Sequence, residues 1–514
     1  MKRLIYLALL AVTAQVALAQ TVESHGHSMT VQSRPSKLQA GAPTVLLLSY
    51  SGDLATSRVT ASLAMPSMAS MMLDAPEVKV VDGKVRIAFD FPHPGKYELT
   101  VVITPAQGEA ERYVFTLNPE GFMHEEASMK MRGTLGPWSM NRESSGTAWQ
   151  PDAAPMMMKN LPPAGGFEID AMGTFLAGYV NSGSKRGEQS LFSNSMFMLM
   201  ARKDVGAGTL GFNFMTAADV LLDGPKGVPN LFQTGEELHG SPIVDRQHPH
   251  NIFSELSTSY TLPFGERWQG FIYGGPVGEP ALGGPMFMHR ASGSEVPEAP
   301  ITHHWFDSTH ISTGVITLGA VYDRKWKLEG SVFNGHEPGE NRYPIGPVSL
   351  NSFSGRLSYN PNENWSFQGS YGVLNSPEAT DPGVDVHRIT LSAGYDKDLG
   401  QDHLSATAYM GQNIPTGGHR STAWLGEATL YKGKESYFAR FERVDKDELF
   451  GVPAGDYMIN KLLLGDTHTV LRQDGLDYGL GAYVGLYQFP SALQPYYGKA
   501  PVTFGVFMRI RPVK

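Results

Sequence analysis

The stretch of sequence that decides the fold lies near the end of the chain, where residues 476–486 read LDYGLGAYVGL. Every second residue of this stretch, from Leu476 to Leu486, is apolar or aromatic, and the residues between are Asp, Gly or Tyr. Because successive side chains of a β-strand point to opposite faces, the alternation predicts a strand with one apolar face. The same period recurs at residues 326–332, 353–359, 365–371, 404–410 and 502–510.

Segments of this kind follow one another throughout the second part of the chain. We count roughly 14 to 16 candidate strands between Phe167 and Arg511, with aromatic residues near many strand ends. A transmembrane barrel turns the apolar face of each strand towards lipid and the polar face towards its lumen. The low charged fraction of 18% beside a hydrophobic fraction of 41% fits this arrangement. We therefore predict an all-β chain with an antiparallel outer-membrane β-barrel over residues 167–514.

Residues 1–19 have the features of a secretory signal peptide. Lys2 and Arg3 precede an apolar stretch that ends in Ala-Leu-Ala before Gln20. No later run of about 18 apolar residues predicts a transmembrane helix. We expect export from the cytoplasm, followed by residence in the periplasm or in the outer membrane.

Residues 20–118 consist of short apolar strands separated by turns. The pair Asp82-Gly83 between two such strands is typical of a type I′ hairpin. Roughly six or seven strands over this length predict an immunoglobulin-like sandwich in the periplasm. Residues 119–166 are rich in Met, Pro and Gly, and we predict a linker there.

Charge and cysteine content exclude several functions. A net charge of −9 argues against nucleic acid as a partner, and the absence of cysteine excludes disulfides, thiolate metal sites and thiol catalysis. Any bound metal must therefore use His, Met or carboxylate ligands.

Half of the 16 histidines fall between residues 239 and 336, mostly in Pro- and Gly-rich segments that predict loops. One interpretation is a metal site in or at the mouth of the lumen, with copper as the ion, and the other is a hydrogen-bonded network that orders the loops. If the chain is extended at His303 and His304, the two rings point apart, which weakens the metal interpretation. The candidate ligands in this region are His248, His250, His289, His303, His304 and His310.

A second group of candidate ligands lies in the N-terminal part, where thioethers and imidazoles together suit Cu(I). The alternatives are that the methionines fill the core of the sandwich and that the histidines belong to a disordered tail. The candidates are His25, His27, Met29, Met65, Met68 and Met71. Met123, His124, Met129 and Met131 form a further group in the predicted linker.

A barrel hydrolase is a third possibility, because Asp307, Ser308 and His310 are the residue types of a catalytic triad. Ser308 and His310 share a face at strand spacing, whereas Asp307 points the other way. Our prediction is that the chain is not an enzyme.

Two parts of the chain resemble known groups of proteins. Residues 41–105, with Met65-Pro66-Ser67-Met68 and the sequence PGKYELTV at 94–101, resemble the YtkA-like periplasmic β-sandwich family, whose members are often associated with copper or other metals. The sequence DRQHPH at 245–250, Met288-His289-Arg290 and the sequence EGSVFNG at 329–335 look like a group of bacterial outer-membrane proteins found with heavy-metal resistance systems. The first resemblance implies the handling of copper or another metal, and the second implies a location in the outer membrane.

The function predicted from the sequence is metal transport, binding or tolerance at the outer membrane, with copper as the expected ion. Outer-membrane lipid is the expected surrounding of the barrel, and periplasmic metal-handling proteins are its expected partners. The alternative from another class is a general pore or structural protein whose His and Met clusters only pack.

Overall fold

The structure, a computed structural model, describes residues 19–34, 38, 43–64, 76–91, 95–106, 108–119, 132–155, 157–265 and 267–513. The chain divides into two compact units, residues 1–129 and residues 130–514. The predicted signal peptide lies almost wholly outside the described residues. Among those residues, no helix is both long and apolar enough to cross a membrane.

The described residues of the N-terminal unit form eight strands in two sheets. One sheet has the order β1-β2-β3-β6-β5 and the other the order β4-β7-β8. Apolar side chains from both sheets, such as Leu46 and Val101, form one buried core, as in a β-sandwich. The strands are β1 (Ala19–Ser24), β2 (His27–Arg34), β3 (Pro43–Tyr50), β4 (Arg58–Ala64), β5 (Glu77–Val81), β6 (Lys84–Asp90), β7 (Tyr97–Thr104) and β8 (Glu111–Leu117).

The turn between β5 and β6 is the hairpin that the sequence predicts. Asp82 and Gly83 have φ angles of 48° and 70°. Positive φ at both central residues is what a type I′ turn requires, and Asp and Gly tolerate it. This local prediction is confirmed.

The second unit is a closed barrel of sixteen antiparallel strands, which agrees with the predicted 14 to 16. In the described residues, two small two-stranded sheets and three four-residue helices lie between its strands. The barrel strands are β10 (Phe167–Gly183), β11 (Gln189–Val205), β12 (Gly208–Thr216), β17 (Phe253–Phe264), β18 (Trp268–Gly278), β19 (Ser312–Tyr322), β20 (Trp326–Phe333), β21 (Ser352–Asn362), β22 (Trp365–Leu374), β23 (Val386–Leu399), β24 (Asp402–Pro415), β25 (Ser421–Lys432), β26 (Glu435–Lys446), β27 (Tyr457–Gln473), β28 (Leu476–Gln488) and β29 (Val502–Pro512). The remaining elements are β9 (Met158–Ala164), β13 (Val228–Pro229), β14 (Glu236–Leu238), β15 (Ser241–Ile243), β16 (Arg246–Gln247), α1 (Asp219–Leu222), α2 (His303–Phe306) and α3 (Gln494–Tyr497).

The barrel closes between its first and last strands. The second half of β10 pairs with β29, from Phe175 opposite Ile510 to Gly183 opposite Val502. The first half of β10 pairs with β9, so that β9 continues the line of β29. Every strand of the barrel therefore has a neighbour on both sides, which leaves no open edge.

The two ends of the barrel differ. At one end, the short-turn end, connections of two or three residues join the strands, as at residues 206–207 and 474–475. At the other, the long-loop end, the connections include residues 217–252, 279–311, 334–351 and 375–385.

The outer surface of the barrel is apolar, and aromatic residues line the short-turn end. Leu318, Leu328 and Phe353 are examples of large outward side chains that remain exposed. Trp326 stacks on Tyr359 with ring centroids 3.9 Å apart. Trp268 with Tyr322 and Trp365 with Tyr395 form similar pairs at the same end.

Two segments fill the lumen. Residues 132–155, which we call the inner plug, occupy the short-turn end, where the Ala153 amide donates to the Glu363 carbonyl over 2.9 Å. Residues 279–311, the loop plug, fold inward from the long-loop end. The two meet where the Met286 amide donates to Ser145 Oγ over 2.9 Å. The predicted linker therefore includes a stretch that packs inside the barrel.

Candidate functional site

Methionine side chains form a row across the lumen face of three neighbouring strands. Met172 of β10 lies directly opposite Met198 of β11, which in turn lies opposite Met215 of β12. Met196 and Met200 flank Met198 on the same face of β11, because alternate residues of a strand share a face. The strand register thus places five thioethers side by side.

The two plugs add further methionines to this row. We call the whole group, with Met172 half-buried at its edge, the methionine cluster. Its buried members are Met140, Met158, Met196, Met198, Met200, Met215, Met286 and Met288. They come from the inner plug, β9, β11, β12 and the loop plug. The cluster therefore marks the place where both plugs meet the barrel wall.

His289 brings an imidazole into the methionine cluster. Its Nε2 atom lies 3.4 Å from Met215 Sδ. Burial lowers the pKa of His289 to about 4, so the ring is neutral at physiological pH. The two atoms are within hydrogen-bonding distance, and both are of types that could hold a soft metal ion.

Two small cavities of about 30 Å³ and about 40 Å³ lie beside His289. Met172 and His289 line both of them, while Met198 and Met200 line one and Met196 and Met288 the other. Each cavity has room for about one water molecule or one ion.

The sequence prediction included His289 but missed the methionines around it. The signal was present in the sequence MFMLM at 196–200, where methionine occupies every second position of a predicted strand. What the sequence did not supply was the register that sets Met172 and Met215 opposite this strand.

Ion pairs hold the loop plug to the wall. Arg509 of β29 donates to both carboxylate oxygens of Glu295 over 2.7 Å, and Lys461 of β27 lies 2.6 Å from Glu298. In a third pair the plug carries the positive charge and the wall the negative charge, since Arg290 of the loop plug donates to Glu427 of β25 over 2.7 Å. All of these groups are buried, so the plug and the wall compensate each other's charge.

His303 and His310 of the loop plug form a second group of imidazoles together with His250 of the connection at residues 217–252. The ring centroid of His310 lies 5.4 Å from that of His250 and 5.2 Å from that of His303. Carboxylates hold two of these rings, with His250 Nδ1 2.6 Å from Asp219 and His303 Nδ1 2.6 Å from Asp307. The structure thus brings three of the predicted candidates together, each with a hydrogen-bond partner at Nδ1.

The chain is not extended at His303 and His304, so the argument that their rings point apart on a strand does not apply. Both residues belong to helix α2, and their ring centroids are 5.6 Å apart. His304 points away from the second group of imidazoles, towards Glu236 and Glu337, while His248 lies 2.6 Å from Glu236.

The N-terminal candidates are found in different surroundings. His25 is exposed in the turn between β1 and β2, and Met29 is fully buried in the core of the sandwich. His27 Nδ1 lies 2.8 Å from Glu111, whose carboxylate also accepts a hydrogen bond from Tyr50. Met65, Met68 and Met71 lie outside the described residues, as do Met123, His124, Met129 and Met131.

The residues of the hydrolase alternative lie in a turn rather than in a strand. Ser308 and His310 belong to a single 3-10 turn, so the argument from strand spacing is wrong. Ser308 Oγ accepts a hydrogen bond from Arg388 over 2.8 Å, and His310 Nδ1 faces the carbonyl of Asp307 at 2.7 Å.

The barrel is similar to solved porin structures. The chain matches no known protein family and no curated protein. An anion-selective porin from Comamonas acidovorans is 13% identical, covers 67% of this chain and 99% of its own, and has a TM-score of 0.43. OmpF of Salmonella typhi, solved with daunomycin, is 10% identical over 67% of this chain and 98% of its own, with a TM-score of 0.42. OccAB2 of Acinetobacter baumannii is 9% identical, covers 67% of this chain and 97% of its own, and has a TM-score of 0.36. The likeness concerns the fold alone.

Proposed function

We propose that this chain is an outer-membrane protein whose filled barrel binds and transports a soft metal cation, with Cu(I) as the ion. The apolar outer surface and the aromatic residues at the short-turn end support the location, since both are typical of barrels in lipid. The proposal assigns the N-terminal unit to the periplasm, where His25 and His27 remain candidate ligands.

The observation that carries the proposal is the 3.4 Å distance between His289 Nε2 and Met215 Sδ within the methionine cluster. Two ligand atoms bonded to one metal ion at about 2.0 Å and about 2.3 Å, at a near-tetrahedral angle, lie about 3.5 Å apart. Thioethers and a neutral imidazole are the ligand set that selects Cu(I) over harder ions. Methionine also fills irregular cores, and this packing role is the alternative that an experiment must exclude.

The position of the cluster supports transport rather than storage. Residues of both plugs contribute to it, so movement of the inner plug opens the site to one end and movement of the loop plug to the other. Release of the loop plug requires that its buried ion pairs with the barrel wall separate, and we expect these pairs to keep the barrel closed between such movements.

A general pore is the second candidate, and the strand number favours it. Barrels of about 16 to 18 strands leave an aqueous channel when nothing fills the lumen. In this chain the two plugs occupy that space, so a general pore needs their displacement. Ion conductance in planar bilayers without added metal would support this candidate.

The test is Cu(I) binding by the purified full-length protein in detergent, measured in competition with a colorimetric Cu(I) chelator under reducing conditions. We expect the double variant Met198→Leu with Met215→Leu to bind Cu(I) at least tenfold more weakly, because leucine keeps the volume and removes the thioether. Met508→Leu is the matched control, since Met508 faces outward and is 41% exposed. Equal affinity in the double variant and the control would contradict the proposal.

A further inference from the structure

A different set of potential ligands lies at the long-loop end of the barrel. Glu236, His304 and Glu337 come from three separate connections, residues 217–252, 279–311 and 334–351. One ligand atom from each side chain lies within 4.8 Å of the other two. We call these three residues the mouth cluster.

The ring of His304 is buried without the hydrogen bonds that a buried imidazole needs. Its side chain is 4% exposed, and neither ring nitrogen makes a hydrogen bond with any residue that the structure describes. Nδ1 lies 3.2 Å from Glu337 Oε1, and Nε2 lies 3.9 Å from Glu236 Oε1. Glu337 Oε1 also lacks a hydrogen-bond partner within the described part of the chain. Because unsatisfied buried polar atoms cost free energy, these atoms are poised to bind something between them.

Neighbouring groups fix the orientation of the mouth cluster. Glu236 lies between His248, 2.6 Å from one carboxylate oxygen, and Arg342, which donates to the other over 2.8 Å. Gly235 makes room for the imidazole, since a Cβ atom there would lie 2.5 Å from His304 Cε1. Such support from surrounding residues is a general property of metal sites.

We infer that the mouth cluster is a binding site for a borderline divalent cation of the Zn²⁺ type. One imidazole nitrogen and two carboxylate oxygens are a ligand set that binds Zn²⁺, with a fourth position left for water. Glu378 lies 3.9 Å from His304 Nδ1 and is the nearest further carboxylate. A tetrahedral ion holds its ligand atoms about 3.3 Å apart. His304 Nδ1 and Glu337 Oε1 are already 3.2 Å apart, so binding requires mainly that Glu236 move closer to these two atoms.

A bound ion would join the loop plug to two of the loops that cover it. This role is independent of the proposed copper function, because it uses no thioether and selects harder ions than the methionine cluster does. The competing account is a protonated His304 held by its carboxylate neighbours, with no metal at all.

The test is Zn²⁺ binding by the full-length protein, stripped with a chelator and titrated by calorimetry in detergent. We expect one tight Zn²⁺ per chain, and a loss of at least tenfold in affinity in both His304→Ala and Glu337→Gln. His468→Ala is the matched control, because it removes a partly exposed pair between His468 of β27 and Glu435 of β26 and should not change the affinity. The shift of the folded barrel in unheated gel electrophoresis verifies that each variant is folded.

The double variant Met198→Leu with Met215→Leu should bind Zn²⁺ as the wild type does, so that failure of the copper proposal leaves this inference standing. Absence of stoichiometric Zn²⁺ binding would overturn the inference in favour of the protonated cluster. Wild-type Zn²⁺ affinity in the folded His304→Ala and Glu337→Gln variants would overturn it as well.

Discussion

Neutralising Glu295 should release the loop plug from the barrel wall. Glu295 is fully buried in the lumen, where Arg509 and Arg511 of β29 both donate to its carboxylate. The change Glu295→Gln keeps the shape of the side chain and removes its charge, which leaves the two guanidinium groups without their shared partner.

The free-energy cost of Glu295→Gln depends on which partners Arg509 and Arg511 keep after the change. Arg509 keeps a second carboxylate, because its Nη2 donates to Asp477 over 2.8 Å, so the loss falls mainly on Arg511. Removal of one partner from a buried ion pair costs about 3 to 5 kcal/mol, and the remaining pair of Arg509 argues for the lower end. About 3 kcal/mol raises the population of barrels with a displaced plug by about 150-fold.

The assay is single-channel conductance in planar bilayers. We expect long openings in Glu295→Gln where the wild type is mostly closed. Glu435→Gln is the control, because it removes a carboxylate whose His468 partner is 48% exposed and should leave the closed state unchanged. Equal open probability in wild type and Glu295→Gln would refute the claim that this ion pair holds the plug.

Two further predictions concern other parts of the chain. Gly83→Ala should destabilise the N-terminal sandwich by about 1 kcal/mol in thermal unfolding, since φ is 70° and the space around the new Cβ is open; an unchanged midpoint would contradict the turn geometry. Burial raises the pKa of Glu279 to about 8 despite the opposing charge of Arg356, so the folded state holds a proton that the unfolded chain releases above pH 4.5. This carboxyl group therefore makes the barrel less stable as the pH rises from about 5 to 8, and Glu279→Gln should weaken that decline in urea unfolding measured at several pH values; an identical decline in the variant would contradict the assignment.

The barrel and its strand number could be predicted from the sequence because alternation is a local property. A strand such as β28 shows its apolar face within a dozen residues, and neither its neighbours nor its position in the sheet changes that pattern. The turn at Asp82-Gly83 is local in the same sense, since it depends on the φ angles that two residues tolerate.

The candidate site was predicted only in part. The concentration of histidine between residues 239 and 336 directed attention to the loop plug, and His289 and His304 were among the candidates. The lumen methionines were missed because an inward methionine on one strand is indistinguishable in the sequence from an outward one. The strand register and barrel closure decide which thioethers meet and which face lipid.

By itself, the sequence determined the all-β class, the alternating strands and the barrel, because backbone geometry sets a two-residue period wherever a strand forms. Only the tertiary structure decided that residues 132–155 and 279–311 fill the lumen, and that Glu295 meets Arg509 across 214 residues of sequence. Contacts of this kind depend on the match of buried charge and volume between distant segments, which no local pattern records.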